Sequence, residues 1–255
     1  MAAPRPLSVA IVCMDEEDRI GQCLSSVKFA DEIVVVDSGS RDRTLEIAGR
    51  FTSVIHHREW KGWRDQKAWA AKRCKNEWVL TLDADEAVSG ELQKEILELL
   101  ARDEVRENGF TVPRRTHYLG RWVRHSGWYP DRKLRLYKKE LAVFGGDDPH
   151  EVIEVPGPVG ELHGDLIHYT YRDFRHHAAQ ITRYALVNAE ARHQRGARAG
   201  VAALALRPPF AFLKLYVLKR GFLDGVPGLL IGVMNGWYYT FVKYARLWEL
   251  SRGGR

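Results

Sequence analysis

Three short apolar runs in the first third of the chain each lead directly into carboxylates. Leu7-Ser-Val-Ala-Ile-Val-Cys13 precedes Asp15-Glu16-Glu17, Glu32-Ile-Val-Val-Val-Asp37 precedes Ser38-Gly39-Ser40, and Trp78-Val-Leu-Thr-Leu-Asp83 precedes Ala84-Asp85-Glu86. Runs that are apolar throughout, not alternating, read as strands covered on both faces. Between them, residues 20–27 place Ile20, Leu24 and Val27 at helical spacing, residues 43–51 and 65–73 read as helices, and residues 53–57 as a short strand. Ser89 is positioned to cap a helix carrying Leu92, Ile96, Leu99 and Leu100 on one face. This alternation predicts an α/β fold, a mixed and mainly parallel sheet flanked by helices. After residue 109 the pattern changes. Residues 110–114 and 134–138 read as strands on either side of an aromatic and basic loop, a Gly/Asp/Pro-rich stretch covers 145–149, and short strands are expected near Val152 and Leu166. From residue 173 the chain reads as helical over 174–196, 210–222 and about 228–250, punctuated by Pro208-Pro209 and Gly225-Val-Pro-Gly228. The expected division is a catalytic domain over 1–170 and a C-terminal helical segment over 171–255.

Charge follows the same division. The chain has 39 Lys and Arg against 33 Asp and Glu, a net charge of +6. Residues 1–160 hold 25 basic and 27 acidic residues, whereas residues 161–255 hold 14 and 6. The surplus belongs to the tail, so the basic total does not mark a nucleic-acid partner, and none is expected. Cys13, Cys23 and Cys74 are too few and too scattered for a disulfide framework or a zinc site. The first six residues contain no apolar run, so no signal peptide is expected. The uncharged stretch 226–242 has 17 residues including Pro227 and three glycines. It stands at the short edge of the roughly 17–25 residues a spanning helix needs, and is read as interfacial or buried.

Ligands of open parallel sheets bind beyond the carboxyl ends of the strands. Carboxylates at three such ends form a concentrated negative site, which a divalent cation would neutralise. Asp83-Ala-Asp85 after a buried strand suits Mg²⁺ or Mn²⁺ carrying phosphate oxygens. Neither Gly-x-x-x-x-Gly-Lys-Ser/Thr nor a strand-linked Gly-x-Gly-x-x-Gly is present, which removes most support for an ATPase or a dinucleotide oxidoreductase.

Val9-Ala-Ile-Val-Cys-Met-Asp-Glu-Glu-Asp-Arg-Ile20, Ile33-Val-Val-Val-Asp-Ser-Gly-Ser-Arg-Asp-Arg-Thr44 and Val79-Leu-Thr-Leu-Asp-Ala-Asp-Glu86 together resemble glycosyltransferase family 2. Further motifs resemble its bacterial lipopolysaccharide-core β-glucosyltransferases: Trp63-Arg-Asp-Gln-Lys-Ala-Trp-Ala70, Gly127-Trp-Tyr-Pro-Asp-Arg-Lys-Leu-Arg-Leu136, Pro149-His-Glu151, Leu166-Ile-His168 and Lys219-Arg-Gly-Phe-Leu-Asp-Gly225. The resemblance implies the GT-A (Rossmann-like) fold with a C-terminal helical appendage. By the same resemblance Asp37 bonds the nucleotide base, Glu16 lies beside the nucleoside, and Gln66 and Lys67 stand near the donor. Asp83 and Asp85 hold the diphosphate through Mg²⁺ or Mn²⁺, with Asp85 the direct ligand. Asp15 is counted with the donor-binding residues by the same resemblance, although the family usually carries Asn there, whose amide can donate to an acceptor that a carboxylate would repel.

Inverting glycosyl transfer needs a general base on the acceptor hydroxyl and charge stabilisation on the leaving diphosphate. Asp147, Asp148 and Glu151 are candidates for the base. Glu151 is favoured because Pro149-His-Glu151 matches the subgroup's motif, with His150 shaping the site. Trp128 and Tyr129, among Arg121, Arg124, Arg132 and Arg135, offer faces for sugars and cations for phosphates, or else pack as a lid. Asp131 either orders this loop or meets the acceptor. Aromatic and aliphatic residues beside Lys and Arg in 210–220 and 237–246 fit an interfacial helix on anionic lipid, or a layer packed on protein. His176-His177 reads as a solvated helix face, since adjacent helix residues point apart.

The expectation is a metal-dependent inverting enzyme moving a hexose, glucose from UDP-glucose, onto an inner-core sugar such as heptose. It would work on the cytoplasmic face of the inner membrane. The alternatives are a polyprenyl-phosphate-linked or other envelope glycan as acceptor, or a catalytically silent membrane-associated scaffold.

Overall fold

A computed structural model describes residues 4–147 and 150–252, with the backbone alone for Asp147 and His150. The first strands and helices follow the apolar pattern: β1 (Leu7–Cys13), α1 (Ile20–Ser26), β2 (Glu32–Asp37), α2 (Thr44–Ala48), β3 (Ile55–His57), α3 (Trp63–Arg73) and β4 (Trp78–Asp83). β1 lies between β2 and β4, β3 lies beyond β2, and all of these pairings are parallel. Every residue of β1 is buried, because successive side chains serve opposite cores. Val9 and Ile11 join Leu80, Leu82, Ile20 and Leu24 in one core, while Ala10 and Val12 join Val34, Val36, Ala70 and Ala71 in the other.

β5 (Glu86–Val88) follows, then α4 (Gly90–Leu100). The Ser89 hydroxyl accepts the Leu92 N–H at 3.2 Å, so the cap read from the sequence is present. The remaining strands are β6 (Gly109–Tyr118), β7 (Arg121–Trp122), β8 (Asp131–Lys138), β9 (Val143–Asp147), β10 (His150–Glu154), β11 (Val159–Glu161) and β12 (Leu166–Tyr169). The sheet order is β3-β2-β1-β4-β8-β6-β12-β5. β8 runs antiparallel to β4, and β6 antiparallel to β8. The parallel half therefore ends at β4, the strand that carries Asp83. β9 and β10 form a separate antiparallel hairpin that sets Glu151 opposite Gly146.

The chain divides into two compact units, Met1–Arg114 with Asp131–His168, and Arg115–Pro130 with Tyr169–Arg255. The second contains α5 (Phe174–Gln194), α6 (Val201–Leu213), α7 (Gly225–Ile231) and α8 (Tyr239–Arg252). Asp173 caps α5 by accepting the His176 N–H at 2.7 Å. α6 runs through Pro208-Pro209, where a break was expected. Proline removes a helix hydrogen bond at each of these positions, and a wider π-type turn, Lys214–Leu218, follows at once. The stretch 226–242 is helical and one-sided: Ile231 and Met234 are buried, whereas Val226 and Trp237 are exposed.

His177 corrects the sequence reading of a solvated pair. Its side chain is completely buried. Nε2 lies 3.0 Å from Asn235 Oδ1, Nδ1 lies 2.6 Å from the Tyr118 hydroxyl, and Tyr171 stacks on the ring at 4.1 Å. Asn235 Oδ1 can only accept, so Nε2 carries the proton and Nδ1 accepts from Tyr118. Burial pushes the His177 pKa down to about 4, against the opposing Asn235 hydrogen bond. The unfolded chain binds a proton below about pH 6.5 that the folded chain refuses until about 4. Stability is therefore full above 6.5 and falls as pH drops toward 4, by up to ~3 kcal/mol. Urea unfolding of the wild type should show a lower midpoint at pH 4.5 than at pH 7.5. His177→Gln should be weaker at both values and should lose part of that difference; an unaltered difference would exclude His177 as its source.

Candidate active site

The first unit concentrates its charges beyond the carboxyl end of β4. Lys67 projects from α3 with only 1% of its side chain exposed. Its Nζ lies 2.7 Å from Asp83 Oδ1, 2.9 Å from Asp83 Oδ2 and 2.5 Å from Glu151 Oε1. Arg135, on β8, donates from Nη2 to Asp83 Oδ2 at 3.0 Å and to Glu86 Oε1 at 2.7 Å. Arg114 lies 3.5 Å from Glu86 and donates to Asp131 Oδ2 at 2.6 Å, and Lys133 lies 3.2 Å from Asp131. The series Glu151, Lys67, Asp83, Arg135, Glu86, Arg114, Asp131, Lys133 thus alternates in sign along its whole length. Neutralisation of this acidic sheet edge, required on electrostatic grounds, is achieved here by side chains of the chain itself.

The two carboxylates of the Asp-x-Asp motif have different surroundings. Burial alone would raise the Asp83 carboxyl, but the Lys67 ammonium and the Arg135 guanidinium outweigh it and hold it well below the usual carboxylate range. Both Asp83 oxygens are taken by these cations. Asp85 has looser partners, His168 Nε2 at 3.3 Å and Arg19 Nη1 at 3.9 Å, and a side chain 21% exposed. Burial works upward on Asp85 too, and His168 and Arg19 outweigh it, so its pKa also lies below its ordinary value. A deprotonated, accessible carboxylate suits a divalent cation that brings phosphate oxygens and water as its other ligands. Among the described residues, no group of three His, Cys, Asp or Glu forms a ready-made cage.

The other sequence-derived residues are arranged as follows. Asp37 is 1% exposed and folded onto its own turn, accepting the Gly39 N–H at 2.9 Å, the Ser40 N–H at 3.1 Å and the Ser40 hydroxyl. Gln66 is fully buried and donates to Ser38 Oγ at 2.7 Å, while its Oε1 has no partner among the described residues. Asp15 has a φ of 55°, a left-handed conformation that Asn and Asp tolerate best among non-glycine residues. Its Oδ1 accepts the Arg41 N–H at 2.7 Å, which ties the loop after β1 to the loop after β2. Glu16 lies 3.9 Å from Arg19. Asp131, on β8, pairs with Arg114 of β6 and with Lys133 of its own strand. Arg135, grouped with the acceptor loop in the sequence, is buried beneath the Asp-x-Asp motif. Trp128 belongs to the second unit, where it packs 5.8 Å from the Tyr118 ring and 6.4 Å from that of Tyr171. The His150 and Asp147 side chains, and Asp148 entirely, lie outside the described residues. Arg114 lies outside the family-like motifs, whereas Arg19, Glu86 and His168 lie within them without an assigned role.

Comparison with known proteins places this geometry in a family. The model for glycosyl transferase family 2 matches residues 8–153. The chain belongs to that family. The lipopolysaccharide core biosynthesis glycosyltransferase LpsC of Rhizobium meliloti is 30% identical over 252 residues, covering 96% of this chain and 92% of LpsC. An uncharacterized glycosyltransferase of Rickettsia typhi is 28% identical, over 98% of this chain and 89% of its own length. The crystal structure of S. aureus TarS 1-349 aligns with a TM-score of 0.50 at 17% identity, over 98% of this chain and 92% of that one. The chain is a glycosyltransferase with a GT-A-like fold, a mixed sheet flanked by helices with further helices at the C-terminus.

Removing one partner of a buried ion pair leaves an uncompensated charge and costs about 3–5 kcal/mol. Lys67→Met should therefore lower the unfolding free energy by ~3 kcal/mol in urea titrations. Adding Asp83→Asn to Lys67→Met should recover part of the loss. A double variant destabilised by the sum of the losses of Lys67→Met and Asp83→Asn would show that the pair is not coupled.

Proposed function

We propose that this glycosyltransferase is an inverting, divalent-metal-dependent enzyme. It moves a hexose, glucose from UDP-glucose, onto an inner-core sugar of lipopolysaccharide such as heptose. It acts as a peripheral protein on the cytoplasmic face of the inner membrane. The observation that carries the reading is the Lys67 bridge, which joins the candidate base Glu151 to the Asp-x-Asp motif through one ammonium group. The name of LpsC supports the core acceptor. TarS has been crystallised in complex with UDP, which supports a uridine diphosphate donor. The resemblance to core β-glucosyltransferases supports glucose.

Lys67 holds Glu151 Oε1, and Oε2 makes no hydrogen bond among the described residues. That oxygen is assigned to the acceptor hydroxyl. Glu151 takes the hydroxyl proton as the acceptor oxygen bonds to the anomeric carbon, and the bond to the diphosphate breaks with its electron pair. Asp85 is assigned to the metal, which when bound offsets charge on the leaving diphosphate. Asp83, with both oxygens engaged, is assigned to positioning Lys67 and Arg135.

UDP release with a purified core oligosaccharide tests the reading. Glu151→Gln should lower transfer by ~10²–10⁴-fold while UDP binding by calorimetry persists; near-normal transfer would remove Glu151 as the base. EDTA should abolish turnover, with restoration by Mn²⁺. Full activity in chelator would exclude the metal. Mass spectrometry of the product should show one added hexose on the core sugar. Transfer to a polyprenyl phosphate instead would replace the acceptor assignment.

A further inference from the structure

The second unit leaves an apolar face uncovered. Leu206, Phe210 and Leu213 recur at helical spacing and share one side of α6. All three are exposed, Phe210 to 65%. Leu218 is 71% exposed, and the turn Gly221–Asp224 adds Phe222 at 48% and Leu223 at 47%. By length and composition the run Val201–Leu218 could cross a membrane. Its opposite side, however, is committed to protein. A Cβ on Gly232 would lie 3.1 Å from Tyr216 Cβ, and one on Gly236 would lie 2.9 Å from Phe212 Cα. Only the outer face is open.

The charges around this face are one-sided. Residues 201–248 contain six basic residues and one acidic residue, Asp224. Arg207 and Lys243 lie against Tyr244, and Arg246 pairs with Glu190 and Glu249. Lys214, Lys219 and Arg220 are exposed and make no ion pair among the described residues. Asp224 is turned inward at 2% exposure, accepting the His125 N–H at 2.8 Å and meeting His125 Nδ1 at 2.9 Å. Behind it, a Cβ on Gly228 would fall 1.9 Å from the Gly221 carbonyl oxygen. The inner side of the turn is thus packed backbone to backbone, and Phe222 and Leu223 are held outward by a rigid element.

A second copy of the chain docking through the same face would set Lys214, Lys219 and Arg220 of one copy against those of the other. An anionic lipid surface pairs with the cations and accepts the apolar side chains. We propose that the outer face of α6, continued through Leu218, Phe222 and Leu223, docks in the plane of an anionic bilayer without crossing it. The proposal rests on the membrane location given above and adds the docking surface.

Flotation of the full chain with vesicles tests it. Vesicles of phosphatidylcholine with phosphatidylglycerol should bind, and those of phosphatidylcholine alone should bind far more weakly. Lys214→Gln/Lys219→Gln/Arg220→Gln should weaken anionic binding by about 100-fold. Phe222→Ser/Leu223→Ser should weaken it by at least ~10-fold, with an unchanged circular dichroism spectrum showing that the fold is kept. Failure to bind either vesicle would overturn the proposal. So would a concentration-dependent dimer, seen by light scattering, that the same serine variant abolishes. UDP release with a soluble core oligosaccharide is measured in parallel, so a wrong donor or acceptor is separated from a wrong docking surface.

Discussion

The Lys67 ammonium is the point on which the first unit's chemistry depends. It is nearly excluded from water and lies between two carboxylates from different parts of the chain, Asp83 at the end of β4 and Glu151 on the β9–β10 hairpin. A cation in that position is stable only while both carboxylates are charged and close, and two carboxylates so close are stable only with the cation between them. The hairpin is thereby linked to the main sheet by charge. α3 supplies the lysine because Ala70 and Ala71, one turn further on, are small enough to pack closely on Ala10 and Val34.

Much of this was legible in the sequence, for identifiable reasons. β1, β2 and β4 stood out because both of their faces are buried, which removes polar residues from the whole run. The Ser89 cap and the Asp-x-Asp motif were legible because both are local. The distinct surroundings of Asp83 and Asp85 were not, since they depend on Lys67, Arg135, Arg19 and His168, each from another element. Arg135 lies four residues from Asp131 and so was read with the loop. The pairing of Leu136 with Leu80 is what carries it beneath the motif. β5 has three residues and is defined by its pairing with β12, far along the chain. His177 depends on Tyr118 and Asn235, 59 and 58 residues away. Helical spacing alone could not distinguish it from its half-buried neighbour His176.

The tail's excess positive charge also gains a physical meaning. Acidic residues are nearly absent from 201–248, and the one present is consumed inside a turn. The four residues of the turn that contains Asp224 present aromatic and aliphatic side chains outward and grip the His125 backbone inward. Sequence composition recorded the surplus, and the fold shows that it borders uncovered apolar surface.

The alternating series from Glu151 to Lys133 has a kinetic consequence. Four carboxylates and four cations in strict alternation produce a field that cancels over a few ångströms. Such a pocket exerts little pull on a charged molecule one Debye length away, about 8 Å at physiological salt. These eight groups therefore lend a charged ligand little electrostatic steering. Discrimination is left to the moment of contact, when individual charges are felt one at a time.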